Sequence, residues 1–169
     1  MNQDKLTIKT QQALQEAQQI AAEKSNQAIE NGHIIKGILA ADESVLPHLL
    51  SKLGVNANSV LLAIDKIIDS YPKVTGGQHV FSRYAQDALN KATKFAKDMK
   101  DDFVSIETLL LGIVASGDQV AQLLKDAGVT EKELKSAIED LRKGERVTSA
   151  SAEDTYQSLD KFAKNLNLL

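Results

Sequence analysis

Apolar residues recur along this chain at spacings of three, four and seven, which place them on one face of a helix. The pattern is clearest near the start, where it predicts a helix with an alanine-rich buried face. The residues of that face are Ala13, Leu14, Ala17, Ile20 and Ala21. A second segment with nearly the same order lies 75 residues further on, at Ala88, Leu89, Ala92 and Ala96. The likeness indicates an internal repeat.

The two copies stay aligned well beyond this first helix. The same shift places "GHIIKGILA" (32–40) on "ETLLLGIVA" (107–115). After a gap of one residue near Asp42 the shift becomes 74, and "LLSKLGV" (49–55) then lies on "LLKDAGV" (123–129). Chance does not align glycine, alanine and leucine so consistently. The chain is therefore a tandem duplication.

Each copy predicts four helices with recognisable ends. Thr7 and Ser82 precede the first helix of each copy and suit N-caps. Gly54 and Gly128 follow the third helix and suit left-handed C-caps. Thr130, with a glutamate three residues later, has the pattern of a capping box. The predicted fold class is all-α: a pseudo-two-fold tandem duplication of a four-helix unit, followed by a C-terminal linker helix.

Gly37 and Gly112 lie inside the short second helix of each copy. Glycine in a helix interior costs roughly 1 kcal/mol relative to alanine. Close approach of a neighbouring helix backbone explains glycine at both positions, because a two-fold-like arrangement needs that contact once in each half. The alternative is that both glycines only survive from the ancestral unit.

The repeat also sets the expected domain boundaries. We expect a domain over residues 1–146, divided into repeat one (1–70), a linker (71–80) and repeat two (81–146). Residues 147–169 begin with a polar break and continue as a helix with the apolar stripe Tyr156, Leu159, Ala163 and Leu166. That stripe has no partner in either repeat. We therefore expect 147–169 to be a linker and the start of a missing domain, and amide protection to fall after Gly144.

Composition and charge narrow the function. The chain has 169 residues, 43% hydrophobic and 25% charged, which is typical of a soluble globular protein. Its net charge of −3 argues against nucleic-acid or anionic-membrane binding. No stretch approaches ~18 uninterrupted apolar residues, so no segment is expected to span a membrane. With no cysteine and no apolar leader, a reducing cytoplasm is the expected location.

The sequence offers little catalytic chemistry. His33, His48 and His79 lack metal-ligand spacing and are expected on helix surfaces or in loops. No phosphate loop occurs, so the chain is not expected to bind ATP in that way. Asp101, Asp102 and Glu107 are acidic, but a solvated loop and a helix first turn explain them better than catalysis does. We expect neither an independent enzyme nor a metal site. A free-standing enzyme or ligand carrier would require a closed pocket with converging polar groups.

The copies differ where repeat one has lysine and repeat two has an apolar residue. Tyr84, Met99 and Leu111 stand at the positions of Lys9, Lys24 and Lys36. Lysine is almost never fully buried unless paired, so these positions are expected to face solvent in repeat one. The apolar replacements then form an exposed patch of the kind that marks partner surfaces. The alternative is that repeat two buries them in its core.

At the level of whole motifs, the chain resembles a known family. The duplicated unit with its "LGV" and "AGV" helix ends resembles the Clp amino-terminal repeat of the AAA+ unfoldases. The segments "DKLTIKTQQALQEAQQIA", "DDFVSIETLLLGI", "LRKGERV" and "SAEDTYQSLDKFAKNLN" are similar specifically to the ClpB family of protein disaggregases. The likeness covers essentially the whole chain.

This resemblance implies an all-helical module of an ATP-driven chaperone. Such a module captures exposed apolar segments of unfolded or aggregated polypeptides. The whole protein is then expected to be a homohexamer that threads its clients and cooperates with the DnaK system. ATP and Mg would bind in domains that this chain lacks, so no cofactor is expected here. The alternative is the amino-terminal domain of a ClpA- or ClpC-type unfoldase, which docks adaptor proteins and feeds a protease.

The resemblance also implies site residues. Residues used for substrate handling in the family fall on Thr7, Asp101 and Glu107. The family's apolar client groove implies a second set, namely Phe95, Met99 and Leu111. Several of these have simpler explanations: Thr7 as a helix cap, Glu107 as a first-turn acid, and Phe95 as a core residue at the position of Ile20.

Overall fold

A computed structural model describes residues 5–76 and 79–153 of the chain. These residues form eight α-helices, four in each repeat, and two short β-strands. The helices of repeat one are α1 (Ile8–Glu23), α2 (Asn31–Ala41), α3 (Val45–Lys52) and α4 (Ala57–Asp69). Those of repeat two are α5 (Arg83–Asp98), α6 (Ile106–Ala115), α7 (Gln119–Asp126) and α8 (Glu131–Arg142). The strands are β1 (Ala28–Ile29) and β2 (Val80–Phe81). The all-α class and the four-plus-four arrangement are confirmed.

The predicted caps begin and end the helices as expected. Thr7 Oγ1 accepts a hydrogen bond from the Thr10 backbone N–H at 3.1 Å, and Ser82 does the same for α5. Thr130 caps α8 by accepting the Glu133 N–H at 3.2 Å, which is the first half of the predicted capping box. Gly54 and Gly128 have φ values of +72° and +105°, in the left-handed region where glycine is favoured. Local sequence therefore sets these helix ends.

The two helix glycines allow two helices of each repeat to pack backbone against backbone. A Cβ atom on Gly37 would overlap the carbonyl oxygen of Ala13 in α1. A Cβ atom on Gly112 would overlap the carbonyl oxygen of Ala88 in α5, the equivalent residue. The close-approach explanation of both glycines is confirmed.

Two equivalent backbone pairings join the repeats. β1 and β2 are parallel, with Ile29 opposite Phe81, and an isolated parallel bridge joins Leu6 to Val104. These two pairings are equivalent, because the 75-residue shift carries Leu6 to Phe81 and Ile29 to Val104. Each repeat thus pairs the segment before its first helix with the segment before the other repeat's second helix. The helices follow the same symmetry, since α3 contacts α8 and α4 contacts α7.

The segment after α8 packs on both repeats. Val147 and Glu153 are fully buried. The Asp102 N–H donates to the Val147 carbonyl at 2.7 Å, and the Ile8 N–H donates to the Ala150 carbonyl at 2.9 Å. The expectation that the chain lacks a packing partner after Gly144 is therefore wrong for residues 147–153. The predicted apolar stripe from Tyr156 to Leu166 lies outside the described residues.

Candidate functional site

Arg142, at the end of α8, is a fully buried arginine at the centre of a polar cluster. Its guanidinium lies 3.0 Å from an Asp101 carboxylate oxygen and 3.2 Å from Glu107 Oε1. It also donates to Ser105 Oγ at 2.9 Å. A buried arginine needs such paired and hydrogen-bonded surroundings, since an uncompensated buried charge is strongly destabilising. Asp101 also accepts the Val147 N–H at 3.1 Å, which ties the docked segment to the same cluster.

Glu153 brings the other end of the docked segment to the start of α6. Its Oε2 accepts the Ile106 N–H at 2.8 Å and the Thr7 hydroxyl at 3.1 Å. Burial, and second the nearby charge of Glu107, raise the pKa of the Glu153 carboxyl to about 8. Hydrogen bonds from Ile106 and Thr7 act in the opposite direction but do not outweigh desolvation. The carboxyl is therefore largely protonated at neutral pH.

The structure brings Thr7, Asp101 and Glu107 together through two residues that sequence reasoning missed, Arg142 and Glu153. All three sequence-predicted side chains are inaccessible: Thr7 and Glu107 are fully buried, and the Asp101 side chain has 0% exposure. The expected solvated position of Asp101 is therefore wrong, because its carboxylate pairs with the buried Arg142. Glu107 does lie in the first turn of α6, as expected, but its side chain is buried against the same guanidinium. In this conformation the cluster joins the segment 147–153 to the repeats.

The duplication contains a signal for part of this cluster. Arg142 occupies the position of Ile68, and Glu107 occupies the position of Gly32. In repeat one Ile68 packs directly against Gly32, where an added Cβ would lie 2.9 Å from its side chain. An arginine on the buried face of a helix, with an acid where the other copy has glycine, indicates a buried ion pair. Glu153 lies outside the repeat and had no such signal.

Met99 and Leu111 do not form an exposed patch. Leu111 has 0% exposure and Met99 only 7%, and both belong to the hydrophobic core. The expectation of exposure is wrong, because a long lysine side chain can extend from a covered position to the surface and a leucine at that position stays in the core. The Lys36 side chain in repeat one reaches Asp65 at 3.1 Å and stays partly in water, whereas a leucine has no charge to keep hydrated. Of the three apolar replacements only Tyr84 is exposed.

Phe95 is partly buried and lines a cavity of about 470 Å³ in repeat two. The same cavity is lined by four lysines, Lys91, Lys94, Lys125 and Lys135. We call it the lysine cavity. The Lys135 ammonium lies 5.3 Å from the centre of the Phe95 ring, a cation–π distance. Of the predicted apolar set, Phe95 thus lines a cavity that is open to a ligand, whereas Met99 and Leu111 are buried in the core.

A second concave surface lies between α1 and α5, where the two repeats meet. Its lining contains three pairs of equivalent residues: Leu6 with Phe81, Gln11 with Gln86, and Leu14 with Leu89. Gln15 and Gln18 complete it, and its volume is about 250 Å³. We call this surface the axial groove. Its lining carries leucine, phenylalanine and glutamine and no formal charge. Composition alone did not indicate it, because it requires both repeats.

His33 is buried rather than on a helix surface. Its Nε2 lies 2.8 Å from Asn26 Oδ1, and its Nδ1 accepts the Glu30 N–H at 2.9 Å. Desolvation, followed by the charges of Lys24 and His79, lowers its pKa to about 4, so the ring is neutral near pH 7. Within residues 5–76 and 79–153, no group of three histidine, cysteine or carboxylate side chains is placed to hold a metal. No helix of this described part is long and apolar enough to cross a membrane.

The chain belongs to the family described as the Clp repeat (R) N-terminal domain, whose model matches residues 5–127. Among its relatives is chaperone protein ClpB of Bacteroides thetaiotaomicron, 49% identical over 99% of this chain. The chain spans only 19% of that relative's length. The resemblance to ClpB proteins noted in the sequence is thereby confirmed.

Two solved structures share the fold. The N-terminal domain of Hsp104 from Candida albicans has a TM-score of 0.77 and 19% identity, over 87% of this chain and 97% of that one. A complex of the ClpV N-domain with a VipB peptide has a TM-score of 0.68 and 16% identity, over 86% and 91% of the two chains. At these identities the likeness concerns the fold.

Proposed function

We propose that this domain is the substrate-binding module of a ClpB-type disaggregase. It captures exposed apolar segments of unfolded or aggregated polypeptides and passes them to an ATPase ring. The similarity to ClpB chaperones supports the class of protein. The peptide held by the ClpV N-domain supports peptide binding by this fold. Hexamer formation, ATP hydrolysis and cooperation with DnaK belong to the same proposal and to the whole protein.

The axial groove is the observation that carries this proposal. Its floor offers apolar side chains from both repeats, including half-buried Leu14 and Phe81. The exposed amides of Gln15 and Gln18 stand beside that floor and can both donate to and accept from the backbone of an extended client. Because the lining has no formal charge, it selects for apolarity rather than for one sequence. A disaggregase needs that breadth.

Binding at the axial groove is expected to be weak. Covering apolar surface contributes roughly 25 cal/mol per Å². Ordering a flexible client and losing its translational freedom offset most of that gain, so we expect a dissociation constant on the order of micromolar or above. Weak capture suits a domain that hands its client on to a pore.

Replacing Leu14 with lysine tests the assignment. The probe is a fluorescein-labelled peptide of zero net charge, rich in Leu and Phe, and binding is measured by fluorescence anisotropy. Leu14→Lys places an ammonium group under the client and is expected to weaken binding by about tenfold. The matched control is Leu62→Lys, which changes a leucine that is 64% exposed on α4 and is expected to bind as the parent does.

A second variant guards against misfolding. Gln15→Glu with Gln18→Glu changes two exposed positions on α1. This double variant is expected to keep the parent's midpoint of thermal unfolding and to bind the neutral peptide with lower affinity. Parental affinity in both the Leu14→Lys and the double glutamate variants, with an intact helical spectrum, would exclude the axial groove as the capture site.

A further inference from the structure

The lysine cavity has a charge that the fold itself does not require. Its four lysines occupy the positions of Glu16, Gln19, Ser51 and Leu61 in repeat one. Repeat one therefore folds the same way without a single lysine at these places. The duplication thus serves as an internal comparison: the four-helix unit forms with Glu16, Gln19, Ser51 and Leu61 at these positions, so the unit does not depend on the positive charge.

The four lysines differ in whether their ammonium groups already form internal contacts. Lys91 is held by Asp87 at 2.9 Å and by the Ala115 carbonyl at 2.8 Å, and Lys135 lies over Phe95. Lys94 and Lys125 form no ion pair with any residue of the described part of the chain. Their ammonium groups are therefore available to a ligand without breaking an internal contact.

We propose that the lysine cavity binds an acidic segment of a partner protein that carries one apolar side chain. The apolar side chain packs on Phe95, and flanking carboxylates pair with Lys94 and Lys125. This site is distinct from the proposed capture groove, because α5 presents Leu89 to the axial groove and Phe95 to the lysine cavity. The domain then has a charge-selective site beside a neutral one.

The rest of the lining favours an acidic peptide over a phosphate polymer. Asp98 and Glu131 also line the cavity, and they repel a densely charged anion. An acidic peptide spaces its charges along the chain and can place them on the lysines alone. Phe95 and Val114 add apolar surface that an inorganic polyanion does not use.

The proposal is tested with a labelled peptide in which one Phe is flanked by Asp and Glu, and with its twin in which Asn and Gln replace the acids. Binding to the chain is measured by fluorescence anisotropy at low and high salt. We expect the double variant Lys94→Glu with Lys125→Glu to lower the affinity for the acidic peptide by about tenfold or more. The matched control, Lys24→Glu with Lys66→Glu, makes the same charge change on exposed lysines of repeat one and is expected to have a much smaller effect.

Four outcomes decide the matter. Loss of acidic-peptide binding in the Lys94/Lys125 variant but not in the control supports the site, as does weaker binding of the amide twin. Equal loss in both variants shows a general charge effect and overturns it. The peptide assignment is overturned if inorganic polyphosphate displaces the peptide and if replacing the Phe of the peptide with Ser does not change its affinity. The neutral probe of the axial groove is expected to bind the Lys94/Lys125 variant as it binds the parent, so failure of either proposal is separable from failure of the other.

Discussion

Gly37 and Gly112 show how one missing atom sets the distance between helices. At each site the neighbouring helix places a carbonyl oxygen where a Cβ atom would stand. Alanine on the facing helix, at Ala13 and Ala88, leaves that backbone uncovered and permits the approach. A glycine that lowers intrinsic helix propensity therefore stabilises the fold through packing.

Replacing either glycine with alanine tests this explanation, because packing and helix propensity predict changes of opposite sign in the free energy of unfolding. Helix propensity alone predicts that Gly37→Ala and Gly112→Ala stabilise the protein by roughly 1 kcal/mol. The overlap with backbone atoms predicts a loss of about 1–3 kcal/mol instead, because helices must move apart. Urea unfolding measures the difference, and a raised midpoint in either variant would contradict the packing account.

Leu111 tests the core assignment that replaced the exposed-patch hypothesis. Leu111→Ala removes a fully buried side chain and is expected to lower the free energy of unfolding by about 2–5 kcal/mol. Leu62→Ala, at a leucine that is 64% exposed, serves as the matched control and should change it by about 0.5 kcal/mol or less. If both substitutions change the free energy of unfolding by similarly small amounts, Leu111 lies at the surface and the core assignment is wrong.

Among the elements, the segment 147–153 is held by buried hydrogen bonds at its two ends and by the burial of Val147. At its first end the buried Val147 donates its N–H to Asp101, and at its last end Glu153 accepts the Ile106 N–H. Glu153 also accepts the N–H of the first residue of α6, a place where a helix favours a hydrogen-bond acceptor. The protonation of this one carboxyl therefore bears on whether the segment stays docked.

Glu153→Gln is expected to alter the pH dependence of stability. The pKa of Glu153 is about 8 in the folded protein against an ordinary 4.5, so the folded state binds the proton more tightly than the unfolded state. Its contribution is full below pH 4.5 and is lost as pH rises through 8. Glutamine keeps the acceptor oxygen and cannot ionise.

The variant should therefore match the parent near pH 4 and exceed its free energy of unfolding by about 1 kcal/mol or more near pH 8. Glu145→Gln, at an exposed glutamate before the docked segment, is the control and should follow the parent at both pH values. Urea unfolding at the two pH values makes the comparison. Parallel pH profiles for parent and Glu153→Gln would show that Glu153 has an ordinary pKa.

The elements themselves could be predicted because their signals are local. Thr7, Ser82 and Gly54 act within a few residues of their own positions, and the buried face of α1 follows from its spacing. Arg142 and Glu153 act across 35 and 146 residues, on Glu107 and Thr7, and no local pattern encodes such a contact. The apolar replacements were misplaced for a related reason, since burial depends on what the neighbouring helices cover.

At the scale of the whole molecule, duplication produces two kinds of surface. The axial groove draws equivalent residues from both repeats and so follows the pseudo-two-fold symmetry. The lysine cavity belongs to repeat two alone and breaks that symmetry. A symmetric apolar groove suits clients of many sequences, and an asymmetric charged cavity suits a defined partner. On this basis we expect apolar clients to bind in the axial groove.

Methyl-resolved NMR of the leucine-labelled protein locates the client directly. The neutral Leu- and Phe-rich peptide is titrated into the protein, and the methyl signals of Leu14, Leu89 and Leu62 are followed. We expect the signals of Leu14 and Leu89, in the axial groove, to shift together and saturate at one affinity, while the signal of Leu62 on α4 does not move. Saturable binding that moves other methyl signals and leaves Leu14 and Leu89 unchanged would contradict it.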